Sequence, residues 1–496
     1  MLFNSVEFLI FFPFVVLIYF LIPDKWKHYW LLVASYFFYM SWNARYALLI
    51  LFSTIVTYFC ALLLEKAQIQ GSTERQKKWI VLTSLILNLS LLVYFKYFNF
   101  LLSTVENAFA LFHVQLQIPR FDILLPVGIS FFTFQALGYT IDVYRGEIPA
   151  EHDFFRYALF VSFFPQLVAG PIERSGNLMK QLSTPHRFSY ERTKEGLLLM
   201  LWGYFLKIVL ADRIAIFIDM VYGDVTGFNG WYCMLATALF AIQIYCDFSG
   251  YSVIAMGAAK ILGIRLMENF DAPYFSTSVA EFWRRWHISL TSWFRDYLYI
   301  PLGGSRRGKA RKYLNVLIVF LVSGLWHGAS FTFIAWGGIN GAFQIIGELL
   351  MPIRRKAAEI LNLHVESFVH RVISCFATFI LVDFSWIFFR AATFRDAVAV
   401  IRQILSPGDP ALLVTDLLAR ANPRAAVTEC LFVILCLLLL CFADALKRRG
   451  IALRSKIMAQ DTWFQSLFFV AAVCGILLFG VWGPGYKEAS FIYFQF

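Results

Sequence analysis

Charge is scarce in this sequence. Asp, Glu, Lys and Arg make up 15% of its 496 residues, against about 25% in an average soluble domain. A chain that turned its whole surface to water would carry more. Cysteine chemistry is equally thin. Cys60, Cys233, Cys246, Cys375, Cys430, Cys436, Cys441 and Cys474 all lie in apolar stretches, without C-x-x-C or metal-ligand spacing. They read as small packing residues, and neither a disulfide framework nor a bound metal is expected. P-loop, G-x-S-x-G and G-x-G-x-x-G fingerprints are missing as well, which disfavours nucleotide hydrolysis and a serine-hydrolase elbow. No internal repeat is visible, and that weakens the case for a transporter built from inverted repeats.

What the chain has instead is apolar length. Hydrophobic residues are 59% of the total, gathered in blocks near the roughly 20 residues that a bilayer-spanning helix needs. The blocks run over about 1–22, 28–42, 45–65, 79–99, 122–143, 196–222, 231–259, 313–327, 328–350, 371–390, 428–446 and 463–482. The first contains Glu7 and lacks a basic start or a small-residue cleavage site, so it reads as a retained helix and not a signal peptide. Continuous apolar runs exclude a β-barrel, whose strands alternate. The expected fold is an all-α polytopic membrane protein with about 11–12 transmembrane helices, plus re-entrant or interfacial helices around a central tunnel. Residues 1–496 read as a single membrane-embedded domain.

A net charge of +11 raises nucleic acid as a partner, but the placement of the charges answers differently. With the N-terminus outside, 32 of the 43 Lys and Arg residues fall in segments on the inner side. Basic juxtamembrane loops stay in the cytoplasm and favour anionic lipid head groups. The basicity is topology. No nucleic-acid partner is expected, and both termini are placed outside.

Two inner segments, 144–195 and 260–312, are polar yet crowded with aromatics. Phe154 to Pro171 is apolar, short and stopped by Pro and Gly, as in a re-entrant or interfacial helix. From Phe282 to Leu298, apolar side chains at Phe282, Trp286, Leu290, Trp293 and Tyr297 make one helical stripe, with Glu281, Arg284 and Arg295 opposite. That pattern predicts one continuous helix lying in the membrane interface. Arg306, Arg307, Lys309, Arg311 and Lys312 follow as a basic anchor.

Polar groups inside hydrocarbon are candidates for function. Of eight histidines, only His327 falls deep in an apolar region, within V-F-L-V-S-G-L-W-H-G-A. Helical rise puts it about 20 Å beyond the anchor, past the middle of a core about 30 Å thick. Burial there favours a neutral imidazole, able to take a proton from a hydroxyl; the same position also suits a packing histidine bonded to a carbonyl. His287 lies beside the tryptophan stripe. Asp247 reads as lining a cavity or as pairing with an arginine of the 260–312 segment. Asp212 needs a neighbour on another helix, or Arg213. Arg284, Arg285, Arg306 and Arg307 ring the inner mouth and suit phosphates or an acidic carrier surface.

The runs Gln243–Gly250 (QIYCDFSG), Glu268–Tyr274 (ENFDAPY), Glu281–Gly304 (EFWRRWHISLTSWFRDYLYIPLGG) and Ser323–Ala329 (SGLWHGA) resemble the membrane-bound O-acyltransferase superfamily, specifically its bacterial alginate O-acetylation branch. Phe164–Ile172 (FPQLVAGPI) and the opening Leu2–Pro23 are similar to that branch too. The resemblance implies acyl transfer from a thioester co-substrate, acetyl-coenzyme A or an acylated carrier protein, to a hydroxyl, with no bound cofactor. It maps the family's essential histidine onto His327 and its second polar position onto His287. Trp286, Trp326, Asp247 and Asn269 are expected to line the site. It further implies a bacterial inner-membrane location, a polysaccharide acceptor and an extracytoplasmic partner acyltransferase. One departure is visible: relatives commonly read S-G-Y-S-D where this chain has Ser249, Gly250, Tyr251, Ser252 and Val253, so no acidic contact is expected at that position. The alternatives from other classes are a non-enzymatic translocator and a scaffold for a partner acetyltransferase.

Overall fold

The computed structural model describes residues 1–115, 119, 121, 125–168, 170–418 and 423–482. Three parts of the sequence reading lie outside the described residues. They are residues 122–124 of the fifth apolar block, Ala169 of the FPQLVAGPI run, and the C-terminal stretch 483–496. Among the described residues every regular element is helical. Contacts divide the chain into two compact units, 1–200 with 251–267 and 201–250 with 268–496.

The first unit contains α1 (Val6–Leu21), α2 (Lys27–Met40), α3 (Ala47–Ile69), α4 (Glu74–Leu92) and α5 (Phe98–Ala110), with one π-helical turn at Val93–Tyr97 joining the last two. It continues through α6 (Ile129–Arg145), α7 (Phe154–Ser162), α8 (Phe164–Leu167) and α9 (Ser175–Leu182) to α10 (Tyr190–Tyr204), whose last turn belongs to the second unit. The segment from Phe154 turns inward after the exposed Phe155. Phe160, Phe163 and Phe164 are fully buried, and the helix breaks at Phe163. Pro165 is the cause, because its ring would meet the carbonyl of Val161 in a continuous helix. Side chains take over the backbone groups released by the break. Gln135 and Gln166 donate to the Phe160 carbonyl at 2.6 and 2.9 Å, and the Phe164 N–H donates to the Ser35 hydroxyl at 3.1 Å. Irregular backbone in an apolar surrounding is tolerated only on such terms.

The second unit holds a π-helical stretch at Phe205–Ala211, α11 (Asp212–Gly223), α12 (Gly230–Ile261, its last turns in the first unit), α13 (Val279–Arg285) and α14 (Ile288–Phe294). Next come α15 (Lys309–His327), α16 (Phe331–Leu349), α17 (Met351–Ile360) and α18 (Phe368–Arg390). It closes with α19 (Phe394–Leu405), α20 (Ala411–Leu418), α21 (Pro423–Arg448), α22 (Leu453–Met458) and α23 (Thr462–Phe479).

Among the described residues six helical stretches are long and apolar enough to cross a membrane: Ala44–Ile69, Glu74–Ala110, Gly230–Ile261, Phe368–Arg390, Arg424–Arg448 and Thr462–Phe479. The pair α16 and α17, bent by 46°, makes a seventh candidate. The protein is a multi-pass membrane protein. The sequence suggests about twelve crossings, and the difference has a physical reason. Helices α1, α2 and α6 have 16, 14 and 17 residues and rise about 21–26 Å, short of a core about 30 Å thick. Nearly all of α6 is buried. Apolar length is spent on protein core as well as on lipid.

Helices α15 and α16 form a hairpin with no room between its arms. Glycines let their backbones meet: a Cβ on Gly324 would stand 2.3 Å from the Phe333 carbonyl oxygen, and one on Gly337 the same distance from that of Phe320. Gly341 faces Phe320 and Leu317, so the two helices run antiparallel. Small residues permit this approach between apolar helices, where water supplies no drive to associate. Gly324→Val and Gly337→Val are expected to destabilise the protein by about 1–3 kcal/mol through overpacking. Gly347→Ala, where no atom lies within 4 Å, should be neutral or slightly stabilising. Thermal unfolding in detergent checks the contrast.

Candidate active site

His327 is the last residue of α15. The helix stops there because Gly328 is extended and Ser330 starts α16, its hydroxyl accepting the Thr332 N–H at 3.2 Å. A side chain at Gly328 would collide with the Phe333 ring, so the turn is tight. The imidazole is 4% exposed and has aromatic walls. Its centroid lies 5.0 Å from Trp336 and 5.4 Å from Phe389, both at steep angles, and 4.9 Å from Trp326. Behind it Trp336 stacks on Trp386 at 5.7 Å and 22°.

His287 does not sit within a helix. The continuous interfacial helix expected over Phe282–Leu298 is two short helices and a π-helical turn at Arg295–Tyr299, broken at Trp286–His287. His287 adopts a left-handed conformation with φ 44° and ψ 54°, one that histidine enters more readily than most residues. The residues 269–271 hold the break open: Asp271 N–H donates to the Arg285 carbonyl at 3.0 Å, and Ile288 N–H to the Asn269 carbonyl at 2.9 Å. Periodicity identified the buried stripe, since Phe282, Trp286 and Leu290 are all buried. It could not reveal the break, which is imposed by a segment 16–18 positions upstream.

The Asn269 side chain organises the inside of this loop. Its Oδ1 accepts from the Ser289 hydroxyl at 2.6 Å and the Ser289 N–H at 3.3 Å, and stands 3.3 Å from Nδ1 of His287. An acceptor at that distance selects the tautomer with hydrogen on Nδ1, leaving Nε2 with its lone pair. Burial in this apolar setting pushes the His287 pKa from 6.5 down to about 3, so the ring is neutral. Phe248 meets it edge-on at 4.6 Å, and Trp326 lies 6.0 Å away. Trp326 therefore touches both histidines. Trp286 packs on Trp386 at 5.2 Å and on Phe270 at 5.1 Å, behind the same wall. The structure thus brings His287, His327, Trp286, Trp326 and Asn269 into one aromatic cluster.

The remaining expected residues lie apart from it in role. Arg285 is occupied by the carboxylates of Asp271 and Glu281, whereas Arg284, Arg306 and Arg307 are exposed. Asp247 pairs with Lys207 at 2.8 Å, not with an arginine of the 260–312 segment, and the same ammonium holds Asp212 at 2.7 Å. All three are buried. Asp212 reaches a lysine on its own helix because the intervening Phe205–Ala211 stretch is π-helical, and a π-turn aligns positions five apart. A reading that assumes α-helical spacing misses this. Asp383, a half-buried carboxyl on α18 three positions before Trp386, was also missed, as were Trp336 and Trp386. None of the three belongs to a recognisable motif.

Lys207→Met strands two carboxylates in a dry site and should cost about 3–5 kcal/mol; adding Asp212→Asn and Asp247→Asn should restore most of it, as read by thermal unfolding. The depressed pKa of His287 means that its neutral form contributes stability in full above pH 6.5, and that this is lost as pH falls toward 3. His287→Asn, which tolerates the left-handed backbone, should flatten the decline in melting temperature between pH 7 and 4.

Comparison with known proteins finds relatives over most of the chain. The profile of the membrane-bound O-acyltransferase family matches residues 147–380, which include both histidines. The chain is 37% identical over 412 residues to the Probable alginate O-acetylase AlgI of Pseudomonas aeruginosa, covering 82% of this chain and 75% of that one. It is 30% identical over 503 residues to the Peptidoglycan O-acetyltransferase of Helicobacter pylori, covering 94% and 91%. A Teichoic acid D-alanyltransferase of Bacillus subtilis is 26% identical over 45% of this chain and 59% of its own length.

Proposed function

This chain belongs to the membrane-bound O-acyltransferase family, and from that membership we propose that it moves an acetyl group from a cytosolic thioester to hydroxyl groups of a cell-surface polysaccharide. It is an O-acyltransferase embedded in the membrane. The finer reading rests on one observation above all: two buried histidines touch one tryptophan within an aromatic cluster of the second unit.

In the proposed reaction the hydroxyl oxygen of the acceptor attacks the thioester carbonyl carbon while Nδ1 or Nε2 of neutral His327 takes its proton. The tetrahedral adduct then re-forms its carbonyl, the carbon–sulfur bond breaks, and the departing thiolate recovers the proton from the imidazolium. General-base help of this kind contributes about 10²–10⁴ in rate. His287, held neutral by its burial, serves to orient the thioester. Donor phosphates fall to the exposed Arg284, Arg306 and Arg307, since Arg285 already holds two carboxylates. The distribution of Lys and Arg supports an orientation with these arginines in the cytosol of a bacterial inner membrane, both termini outside.

The final acceptor proposed is alginate or another exopolysaccharide, and the attacking hydroxyl is either the glycan's own or that of an extracytoplasmic partner that completes the transfer. Peptidoglycan is the second reading, favoured by the near end-to-end match to the Helicobacter pylori protein. Purified protein in nanodiscs together with its extracytoplasmic partner, given labelled acetyl-coenzyme A and either alginate oligosaccharides or peptidoglycan fragments, should release thiol and yield base-labile label on the glycan. His327→Ala should insert normally and lower this rate by about 10²–10⁴. Transfer at the wild-type rate by His327→Ala would sink the assignment, and protein that never consumes the thioester would fit the scaffold instead.

A further inference from the structure

Acyl transfer places negative charge on the carbonyl oxygen of the tetrahedral adduct, and that charge needs fixed donors in a site that excludes water. A base alone does not supply them. The wall around His327 holds two donors with nothing to bond. Trp336 and Trp386 are each 1% exposed, and among the described residues the indole N–H of neither has a hydrogen-bond partner. An indole can only donate, and a buried donor left unmade is an exception that asks for a cause.

Two other indoles of this protein do find acceptors. Trp283, packed on Trp336 at 5.5 Å, gives its N–H to Asn340 Oδ1 at 3.3 Å, and Trp30 gives its own to the Val15 carbonyl at 3.0 Å. Asn340, whose Oδ1 takes the Trp283 N–H, spends its own amide hydrogen on the backbone carbonyl of Trp336 at 2.9 Å. The two unserved donors are not scattered. They belong to stacked rings, and Trp336 contacts His327 directly.

We propose that the indole N–H groups of Trp336 and Trp386 form the oxyanion site of this enzyme, donating to the acyl carbonyl oxygen as His327 takes the acceptor's proton. This rests on the acyl-transfer reading and adds the electrophilic half of it. As the acceptor oxygen bonds to carbon, the carbonyl π pair moves onto oxygen and is held by the two N–H groups. When the pair returns, the carbon–sulfur bond breaks and the thiolate leaves with the proton from His327. Donors that are idle in the ground state and engaged in the adduct raise turnover without tightening substrate binding.

The test replaces N–H without removing the ring. Benzothienylalanine, which carries sulfur in place of the indole N–H, is incorporated at position 336 or 386 of the full chain, beside Trp336→Phe and Trp386→Phe. Thiol release from acetyl-coenzyme A is then measured with the acceptor that serves the wild type. Loss of an oxyanion donor lowers kcat by about 10²-fold or more, with KM unchanged and the melting temperature held by the isosteric replacement. Retention of kcat within about twofold in both benzothienyl variants overturns the inference, and means that the N–H groups are satisfied by neighbouring ring faces. A rise in KM alone overturns it equally, since that is packing. If His327→Ala is fully active, or the wild type releases no thiol, the acyl-transfer reading falls and takes this inference with it. If His327→Ala is dead and the benzothienyl variants are not, only the oxyanion site is lost.

Discussion

Gly324 and Gly337 leave no space for a side chain between α15 and α16, and the position of the chemistry depends on that contact. A helix pair held backbone to backbone cannot slide or rotate by a fraction of a turn without a clash. The histidine at the end of one helix and the tryptophan near the start of the next are therefore fixed against each other. Helix α18 contributes Trp386 and Phe389 to the same wall. Rigidity here comes from small residues, while the large ones around them supply dryness.

The second histidine is positioned by a different device. Its segment is short of regular structure: two brief helices meet at a left-handed residue, and an upstream loop stitches the junction with two backbone hydrogen bonds and one amide side chain. The cluster of Asn269, Ser289 and His287 orients a ring that α-helical geometry would turn elsewhere. A neutral, oriented imidazole and an aromatic partner shared with His327 are consequences of the break.

Much of this is legible in the sequence. His327 stands out because a histidine amid Leu, Val and Trp is expensive unless used, and the family resemblance carries His287 with it. The all-α membrane fold follows from scarce charge and long apolar runs. The count of crossings does not, because α1, α2 and α6 are shorter than a bilayer core and α6 is apolar for the sake of protein neighbours, and composition cannot tell a lipid contact from a protein contact. The stripe from Phe282 is legible as buried and illegible as broken. Asp247 is recognisable as a paired carboxylate, but its partner is out of reach of any argument from 3.6-residue spacing. Trp336 and Trp386 draw no attention for a simpler reason: an indole in an apolar run looks like core until its nitrogen is traced.

The π-helical stretch at Phe205–Ala211 carries one residue more than an α-helix would use to cover the same rise. Chain length is therefore part of the code there. Deleting Phe205 or Leu206 would relax the bulge into an ordinary helix, in which positions five apart no longer face one another, and would part Lys207 from Asp212. A deletion that an exposed loop would absorb without harm would here undo a buried ion pair.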